Sequence, residues 1–189
     1  MGVGRLKVEN PTTQTAADFL PLTPTNAQRF VETFSSQISG QVTRFRLPSD
    51  ITQDVVQETL IRALRGLPNF RGDSKLSTWV YRISYREGLR AVERWKRHRD
   101  RNRPLNVELD MASEQADATD IVGIQDDVQR IRLAMKQLPD NQRLALGYHY
   151  LDGLAVMEIA ELMGSTPNTI KSWLKRGRDR LRELTEIAA

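Results

Sequence analysis

The sequence predicts an all-α protein made of two small helical domains joined by a flexible acidic linker. Apolar residues recur every three or four positions in seven segments, and no segment alternates apolar and polar residues as a half-buried strand does. Residues from about 102 to 120 lack such a period and separate three of these segments from the other four. With 189 residues, the chain is long enough for two small domains.

The first predicted domain covers residues 25–101 and follows a Thr- and Pro-rich segment, residues 1–24, that we expect to be a flexible tail. Its first helix carries apolar residues on one face: Phe30, Phe34, Ile38, Val42 and Phe45. Ser49 is expected to cap a second helix, which ends before Gly66. After a loop rich in Gly and Pro, a third helix is expected over about 74–101.

The second predicted domain covers residues 121–189 and contains four helices, expected at about 121–137, 140–150, 155–163 and 168–187. Gly164 is placed to end the third of these helices in a left-handed conformation. Ser165 or Thr166 can cap the fourth helix, whose first turn accepts Pro167.

The last two helices have the layout of a helix-turn-helix that reads the major groove of DNA. The residues expected to face inward are Ile159, Ala160, Met163, Ile170, Trp173 and Leu174. The opposite side of the second helix is basic and polar and carries Lys171, Ser172, Lys175 and Arg176. An ordinary helical hairpin with a solvated basic face is the alternative interpretation.

The predicted third helix carries an arginine stripe along one side, formed by Arg82, Arg86, Arg90, Arg94, Arg97 and Arg101. Between Arg82 and Arg103, nine Lys and Arg against three Asp and Glu give a net charge of +6. Like charges at this spacing destabilise an isolated helix, so a nucleic-acid backbone is the expected partner. The alternative is a solvated face that Glu87 and Glu93 partly neutralise.

Three aromatic residues, Trp79, Tyr81 and Tyr85, interleave the start of this stripe. Aromatic rings beside a basic face suit bases that leave a duplex and stack on the protein. Core positions are the alternative for Trp79 and Tyr81. The linker has the opposite charge, with seven acidic residues and no Lys or Arg from Glu108 to Asp127.

Composition argues against several classes of protein. The chain has no cysteine and only two histidines, His98 and His149, which lie far apart in the sequence. We therefore expect no catalytic site, no metal site and no cofactor, and hence no enzyme. No long apolar run predicts a signal peptide or a membrane span, so a cytoplasmic location without membrane contact is expected.

Four motifs follow one another along the chain: residues 54–65 (DVVQETLIRALR), Phe70-Arg71, residues 79–83 (WVYRI), and residues 138–143 (LPDNQR) ahead of the helix-turn-helix. In this order they resemble a bacterial RNA polymerase sigma factor. The resemblance is to the extracytoplasmic-function group of the sigma-70 family, whose members have only regions 2 and 4. It implies core RNA polymerase as a partner, through its β′ clamp helices and β flap, and promoter DNA as the target.

The resemblance also implies roles for individual residues. The −35 element would be read by Thr169, Lys171, Ser172, Lys175 and Arg176. The −10 element would be melted and held by Asn69, Phe70, Arg71, Trp79, Arg82, Arg86 and Arg90. Docking on core polymerase would use Asp50, Asp54, Gln57, Glu58 and Ile61.

This sequence departs from the family pattern at the −10 face. Arg86 and Arg90 stand where the family usually has Asn and Asp. Asn both donates and accepts hydrogen bonds at a base edge, whereas Arg only donates. We therefore expect this face to contact phosphates more, and to read bases less, than in other members of the family.

A second departure lies in the docking helix. The family pattern Asp-Ala-Glu-Asp is replaced by Ile51-Thr52-Gln53-Asp54, so two of three carboxylates are missing. A phosphate on Thr52 would bring close to two negative charges. The chain resembles a subgroup that lacks the acidic motif and is activated by a Ser/Thr kinase, so Thr52 is the predicted phosphorylation site. A plain helix-surface role for Thr52, with Asp50, Asp54 and Glu58 sufficient for docking, is the alternative.

Two other functions stay open at this point. A free-standing activator or repressor would use the same helix-turn-helix, commonly as a dimer, but the chain has no clear dimerisation heptad. An RNA-binding protein would use the arginine stripe but would leave the helix-turn-helix unexplained. An anti-sigma factor is a possible partner that no sequence feature indicates.

Overall fold

The structure, a computed structural model, describes residues 14–101 and 124–186, and within these ranges every regular element is helical. The helices are α1 (Pro24–Thr43), α2 (Ser49–Gly66), α3 (Leu76–Arg101), α4 (Ile124–Lys136), α5 (Asp140–Leu146), α6 (Val156–Met163) and α7 (Pro167–Glu186). The predicted all-α class is confirmed. The chain divides into two compact units, Met1–Arg94 and Trp95–Ala189. The predicted linker, residues 102–120, lies outside the described residues.

The core of the first unit is built around the apolar face of α1. All five residues predicted for this face are buried, and Phe30, Phe34, Ile38 and Val42 are fully so. Full burial of such a side chain is worth about 1.5–3 kcal/mol relative to its exposure. The periodicity of three and four residues therefore identified the buried side of α1 correctly.

The segment before α1 corrects the prediction of a flexible tail as far as residue 24. Phe19 lies in a short 3-10 turn, Ala16–Phe19, and is fully buried. Its ring packs edge-on against Phe30 at 5.2 Å and lies 6.0 Å from the ring of Phe34. Thr15 donates its amide to Asp18 Oδ2 at 2.6 Å, which closes the turn. Phe19 thus anchors this segment to the core, although the composition of the segment did not indicate a buried residue.

Asp18 is held in its charged form by this turn. The backbone hydrogen bond from Thr15, with a second bond from the Thr15 hydroxyl, lowers the pKa of Asp18 below its ordinary value of 3.8. Thr23 then caps α1 by accepting a hydrogen bond from the amide of Asn26 at 3.2 Å. Because both caps are local, the start of the first unit is set by short-range contacts.

Helix α2 differs from its prediction at both ends. Pro48, not Ser49, occupies the N-cap position, and Ser49 is the first helical residue. Gly66 is the last residue of α2, with φ −85° and ψ −18°, and does not serve as a left-handed cap. An added Cβ at Gly66 would lie 3.0 Å from the Trp79 ring, so this glycine allows α3 to approach α2.

Helix α3 packs closely on the end of α1. The ring of Phe45 sits against Gly88, where an added Cβ would overlap the ring, and lies 5.9 Å from the ring of Tyr85. Tyr81 is buried, and its hydroxyl donates to Gln37 Oε1 at 3.2 Å. Tyr81 is therefore a core residue, as the alternative interpretation held, and is not available to stack on a base.

The second unit is organised around α5 and α7. The helix predicted over residues 140–150 is α-helical only as far as Leu146 and continues as a π-helical segment, Gly147–Leu151. Gly177 of α7 lies against Leu146, whose Cδ1 would be 2.8 Å from an added Cβ. Arg143 is buried, and its Nη1 donates to the Leu138 carbonyl oxygen at 2.9 Å. This buried guanidinium fixes the turn between α4 and α5.

None of the helices in the described ranges is long and apolar enough to span a membrane. Within the same ranges, no group of three or more His, Asp or Glu residues is arranged to hold a metal ion.

Candidate nucleic-acid and docking interfaces

The turn between α6 and α7 has the geometry that the sequence predicts. Gly164 is left-handed, with φ 61° and ψ 40°, and the amide of Ser165 donates to the Ala160 carbonyl oxygen at 2.9 Å. Thr166, rather than Ser165, caps α7, because its Oγ1 accepts from the amide of Thr169 at 3.2 Å. Pro167 is the first residue of α7. The turn is therefore fixed by residues adjacent in the sequence.

The inward faces of the two helices agree with the prediction at most positions. Ile159, Ala160, Ile170 and Leu174 are buried. Met163, which the sequence predicts to face inward, is only half-buried, and Leu162 is buried instead. Trp173 is also half-buried. Burial of Ile170 and Leu174 leaves the basic residues of α7 on the outside.

The exposed side of α7 carries three cations, Lys171, Lys175 and Arg176. Within the described part of the chain, none of them forms an ion pair. Ser172 and Thr169 are half-buried beside them, and the Thr169 hydroxyl lies 2.8 Å from that of Thr166. The three cations are thus presented outwards, whereas Thr169 also takes part in the cap.

Arg178 extends this face and was missed by sequence reasoning. It lies three residues after Lys175, so the two share a side of the helix. Its Nη1 donates to the hydroxyl of Tyr150 at 2.8 Å, and this hydrogen bond raises the pKa of Arg178. The spacing from Lys175 was a usable signal, but the contact with Tyr150 joins residues 28 apart and was not visible in the sequence.

The arginine stripe of α3 is less uniform than its spacing suggested. Arg86, Arg90, Arg94 and Arg97 are exposed, but Arg82 is half-buried. Arg90 Nη1 donates to Glu87 Oε1 at 2.6 Å, and Glu87 is only 5% exposed. The stripe is therefore partly neutralised by its own helix, as one of the two initial interpretations allowed. The side chain of Arg101 lies outside the described residues.

The segment between α2 and α3 brings Phe70 and Trp79 together. Their ring centroids are 5.3 Å apart with an interplanar angle of 53°, and both side chains are half-buried. Asn69, at the end of the 3-10 turn Leu67–Asn69, and Arg71 are exposed on either side of Phe70. The two rings support this segment, and its polar groups face outwards beside α3.

The residues predicted for polymerase docking share one side of α2. Asp50, Asp54, Gln57 and Ile61 are exposed and follow one another at intervals of four, three and four residues. Ile61 is 42% exposed and is the large apolar residue on this side of the helix. Glu58 is half-buried and pairs with Arg62 Nε at 2.6 Å. This side of α2 is an acidic surface around an exposed apolar residue.

Thr52 lies on the other side of α2. Residues two positions apart on an α-helix are about 200° apart around its axis, so Thr52 points away from Asp50 and Asp54. Its side chain is half-buried, and its Oγ1 donates to the Leu47 carbonyl oxygen at 3.2 Å. With Pro48 as the cap, Thr52 is the fourth helical residue, and its amide donates to the Pro48 carbonyl oxygen.

Two regions of the chain match known family profiles. Residues 30–101 match the sequence profile of sigma-70 region 2, and residues 128–181 match that of sigma-70 region 4. The first match contains α2, α3 and the segment around Phe70. The second match contains the helix-turn-helix and the basic face of α7.

Characterised relatives and solved structures are similar over most of the chain. The RNA polymerase sigma-H factor of Pseudomonas aeruginosa is 31% identical over 152 residues, which are 77% of this chain and 79% of the relative. The ECF RNA polymerase sigma-E factor of Escherichia coli K12 is 30% identical, with the same coverage.

Two solved structures share the fold. The sigma factor RpoE of Bartonella quintana, solved in complex with the anti-sigma factor NepR, superposes with a TM-score of 0.69 at 23% identity, covering 86% of this chain and 98% of that one. CnrH, solved in complex with the cytosolic domain of CnrY, superposes with a TM-score of 0.63 at 17% identity, covering 92% of this chain and 96% of that one. With both sigma regions matched, and with relatives at 30% identity or more over 79% of their length, the chain belongs to the extracytoplasmic-function group of the sigma-70 family and is a sigma factor for promoter-specific transcription initiation with RNA polymerase.

Proposed function

We propose that this sigma factor docks on core polymerase through α2, reads the −35 element with α7, and holds the −10 element with α3 and the segment around Phe70. The observation that carries this proposal is the pair of basic helices, because α3 lies in the first compact unit as far as Arg94 and α7 lies in the second. Two promoter elements lie some distance apart on the duplex, so two modules suit them better than one.

For the −35 element, the support is the exposed cationic face of α7 behind a well-formed turn. A recognition helix needs its inward side buried and its outward side free to enter the major groove. Lys171, Lys175 and Arg176 meet this requirement, and Ser172 and Thr169 add hydroxyl groups beside them. Arg178 lies further along the same side, where it suits a phosphate contact.

For the −10 element, the support is the outward placement of Asn69, Arg71 and Arg86, together with the paired rings of Phe70 and Trp79. Cations can hold the backbone of a separated strand, and an aromatic ring can stack on an unpaired base. Arg82 and Arg90 complete the set on α3. Phosphate contact is expected to dominate, because the guanidinium groups cannot accept a hydrogen bond from a base.

For docking, the support is the acidic side of α2 with Ile61 among its carboxylates. Such a surface fits basic residues around an apolar contact, which the β′ clamp helices are expected to provide. The β flap is the expected partner of the second unit. An anti-sigma factor is a further candidate partner, since the Bartonella structure is a complex of that kind. Promoter DNA and polymerase place the proposed site of action in the cytoplasm.

Transcription with purified core polymerase tests the proposal. The protein should bind core polymerase and direct initiation at promoters with −35 and −10 elements. Failure to do so, even with Thr52 phosphorylated or replaced by an acid, would contradict the proposal. A gel shift without polymerase separates the alternative, because a free-standing activator or repressor would bind its site strongly alone.

The regulatory part of the proposal is that a Ser/Thr protein kinase activates docking by phosphorylating Thr52. The support is the loss of two carboxylates at Ile51 and Gln53 and the position of Thr52 near the start of α2, where the helix dipole favours an anion. A phosphate would also break the bond from Thr52 Oγ1 to the Leu47 carbonyl oxygen. We therefore expect phosphorylation to loosen the turn before α2 as well as to add charge, on the side of the helix away from Asp54.

Four variants test this switch. Thr52→Ala should be folded but inactive in cells, and Thr52→Glu should restore activity only in part, because it has one charge and two oxygens. Thr52→Ser keeps the hydroxyl and should behave as the parent. The double variant Ile51→Asp with Gln53→Glu should act without the kinase. If Thr52→Ala binds core polymerase and transcribes as well as the parent, there is no switch at Thr52, and the docking proposal stands without it.

A further inference from the structure

Four charged side chains form an ion-pair cluster between α2 and α3. Glu58 Oε1 lies 2.6 Å from Arg62 Nε, Arg62 Nε lies 3.2 Å from Glu87 Oε1, and Glu87 Oε1 lies 2.6 Å from Arg90 Nη1. Glu87 is buried, whereas the side chains of Arg62 and Arg90 are 47% and 59% exposed. The cluster thus runs from the acidic side of α2 to the arginine stripe of α3.

The two middle members of this cluster are shared. Arg62 Nε carries a single hydrogen, yet it lies within ion-pair distance of Glu58 and Glu87. Glu87 Oε1 in turn faces the guanidinium groups of Arg62 and Arg90. The two partners of each shared group have the same charge and repel each other, so a stronger contact at one link weakens the next link. If Glu58 leaves Arg62, then Arg62 moves fully to Glu87, and Glu87 loosens its hold on Arg90.

We propose that Glu87 is a positioning residue that couples polymerase docking to DNA binding, by holding Arg90 until a partner takes Glu58 away from Arg62. The inference rests on the proposed roles of Glu58 in docking and of Arg90 in DNA contact. A basic residue of the polymerase that pairs with Glu58 releases Arg90 for a phosphate of the −10 strand. By linkage, DNA that takes Arg90 frees Glu87 for Arg62 and so frees Glu58 for polymerase.

The same sharing gives substitutions in the docking helix opposite effects on DNA binding. Glu58→Gln removes the competitor for Arg62 and should increase affinity for DNA. Arg62→Gln leaves Glu87 with Arg90 alone and should decrease affinity. Glu87→Gln removes the carboxylate that restrains Arg90 and should also increase affinity. A loss of fold would lower binding in every variant, so the two increases distinguish positioning from a merely structural role.

The first experiment uses the full chain without polymerase. Affinity for a fluorescein-labelled single-stranded DNA of mixed sequence is measured by anisotropy, because a phosphate contact of Arg90 needs no particular base. Glu58→Gln and Glu87→Gln should bind about two- to fivefold more tightly than the parent, the range expected for an exposed ion pair. Arg62→Gln should bind more weakly by a similar factor.

Matched controls remove the effect of net charge. Glu93→Gln makes the same charge change on an exposed residue of α3, and Arg65→Gln matches Arg62→Gln on α2. When Arg90→Gln is combined with Glu58→Gln or Glu87→Gln, the increase in DNA affinity should disappear. Any small increase caused by Glu93→Gln should remain in its double variant. Glu58 and Arg62 are not buried, so these two variants decide the matter even if Glu87→Gln fails to fold. Changes in DNA affinity no larger than those of the controls would overturn the proposal. It would also be overturned if Glu58→Gln and Arg62→Gln changed the affinity in the same direction.

A second experiment adds core polymerase. The same DNA should tighten binding of the parent to core polymerase about two- to fivefold, and this gain should be absent in Glu87→Gln. A parent that binds polymerase with no such gain contradicts the coupling alone. A parent that neither binds polymerase nor supports transcription contradicts the proposed function, whereas the free-chain measurements still decide whether Glu87 restrains Arg90.

Discussion

The two basic helices, α3 and α7, differ in how they hold their cations. Lys171, Lys175 and Arg176 of α7 are exposed and make no ion pair with another described residue. On α3, Arg90 pairs with the buried Glu87, and Arg82 is half-buried. A similar density of positive charge in the sequence therefore corresponds to two different surfaces.

This difference follows from what each helix packs against. Helix α7 turns its apolar side into its own unit and presents its cations with few constraints. Helix α3 carries a buried carboxylate that pairs with its own Arg90 and with Arg62 of α2, so Arg90 is tied to the core and to α2. We expect substitutions on α7 to act additively on DNA binding and those around Glu87 to act non-additively.

The largest expected effect concerns the packing that holds α3 in place. An alanine at Gly88 would overlap the Phe45 ring, so Gly88→Ala should lower the free energy of unfolding by about 1–3 kcal/mol despite its better helix propensity. Gly177→Ala on α7 should cost less, because its nearest neighbour is the flexible Leu146 side chain at 2.8 Å. Urea denaturation and hydrogen exchange of α3 and α7 would measure both.

The matched control for these glycines is Gly40→Ala in α1. Nothing lies within 4 Å of an added Cβ there, so the variant should be more stable by up to about 1 kcal/mol. If Gly88→Ala proved as stable as Gly40→Ala, α3 would not depend on close contact with Phe45, and the contrast with α7 would fail.

The next effect concerns DNA recognition by α7. Lys171→Ala or Arg176→Ala should weaken binding to a −35 duplex by roughly 1–3 kcal/mol for a base contact, or mainly reduce the salt dependence for a phosphate contact. Both residues are exposed, so the fold should be unchanged. Arg180→Ala on the same helix, where Arg180 pairs with Glu183 at 2.9 Å, is the control and should have less effect. Unchanged binding in both variants would mean that another side of α7 meets DNA.

A smaller effect is expected at the cap of α7. Thr166→Ala removes the acceptor for the amide of Thr169 and should cost about 0.5–2 kcal/mol of stability. Thr166→Ser keeps the oxygen and should be close to the parent. Denaturation of the two variants, with −35 binding measured alongside, would show whether the turn positions Lys171. Equal stability of Thr166→Ala and Thr166→Ser would contradict the role of this cap.

The smallest effect is expected at Asp18, in the turn before α1. Because folding lowers the pKa of Asp18, its charged form stabilises the folded state at pH values above the ordinary value of 3.8. The difference in stability between the parent and Asp18→Asn should therefore be present at neutral pH and disappear as the pH falls below about 3.8. Denaturation at a series of pH values would test this, and a difference that persisted in acid would exclude the charge as its cause.

Features that depend on near neighbours were predictable from the sequence. The buried face of α1, the left-handed Gly164 and the exposed cations of α7 follow from periodicity and capping within a few residues. The prediction failed where a single residue packs at a distance. Phe19 is isolated in a polar segment, and Tyr150 meets Arg178 across 28 positions, so neither contact has a local signal.

The amino-acid order was sufficient to predict the helical class and the outward face of α7, because helix periods and caps are short-range properties of the chain. The order of four motifs along the chain was sufficient to indicate the sigma family by resemblance. The sequence could not show which arginines of the stripe form ion pairs. Whether Arg90 is free or held depends on Glu87 being buried between α2 and α3, and on Arg62 reaching it from another helix. Burial and a shared partner are properties of the packed fold, since each needs side chains that are distant in sequence to meet in space.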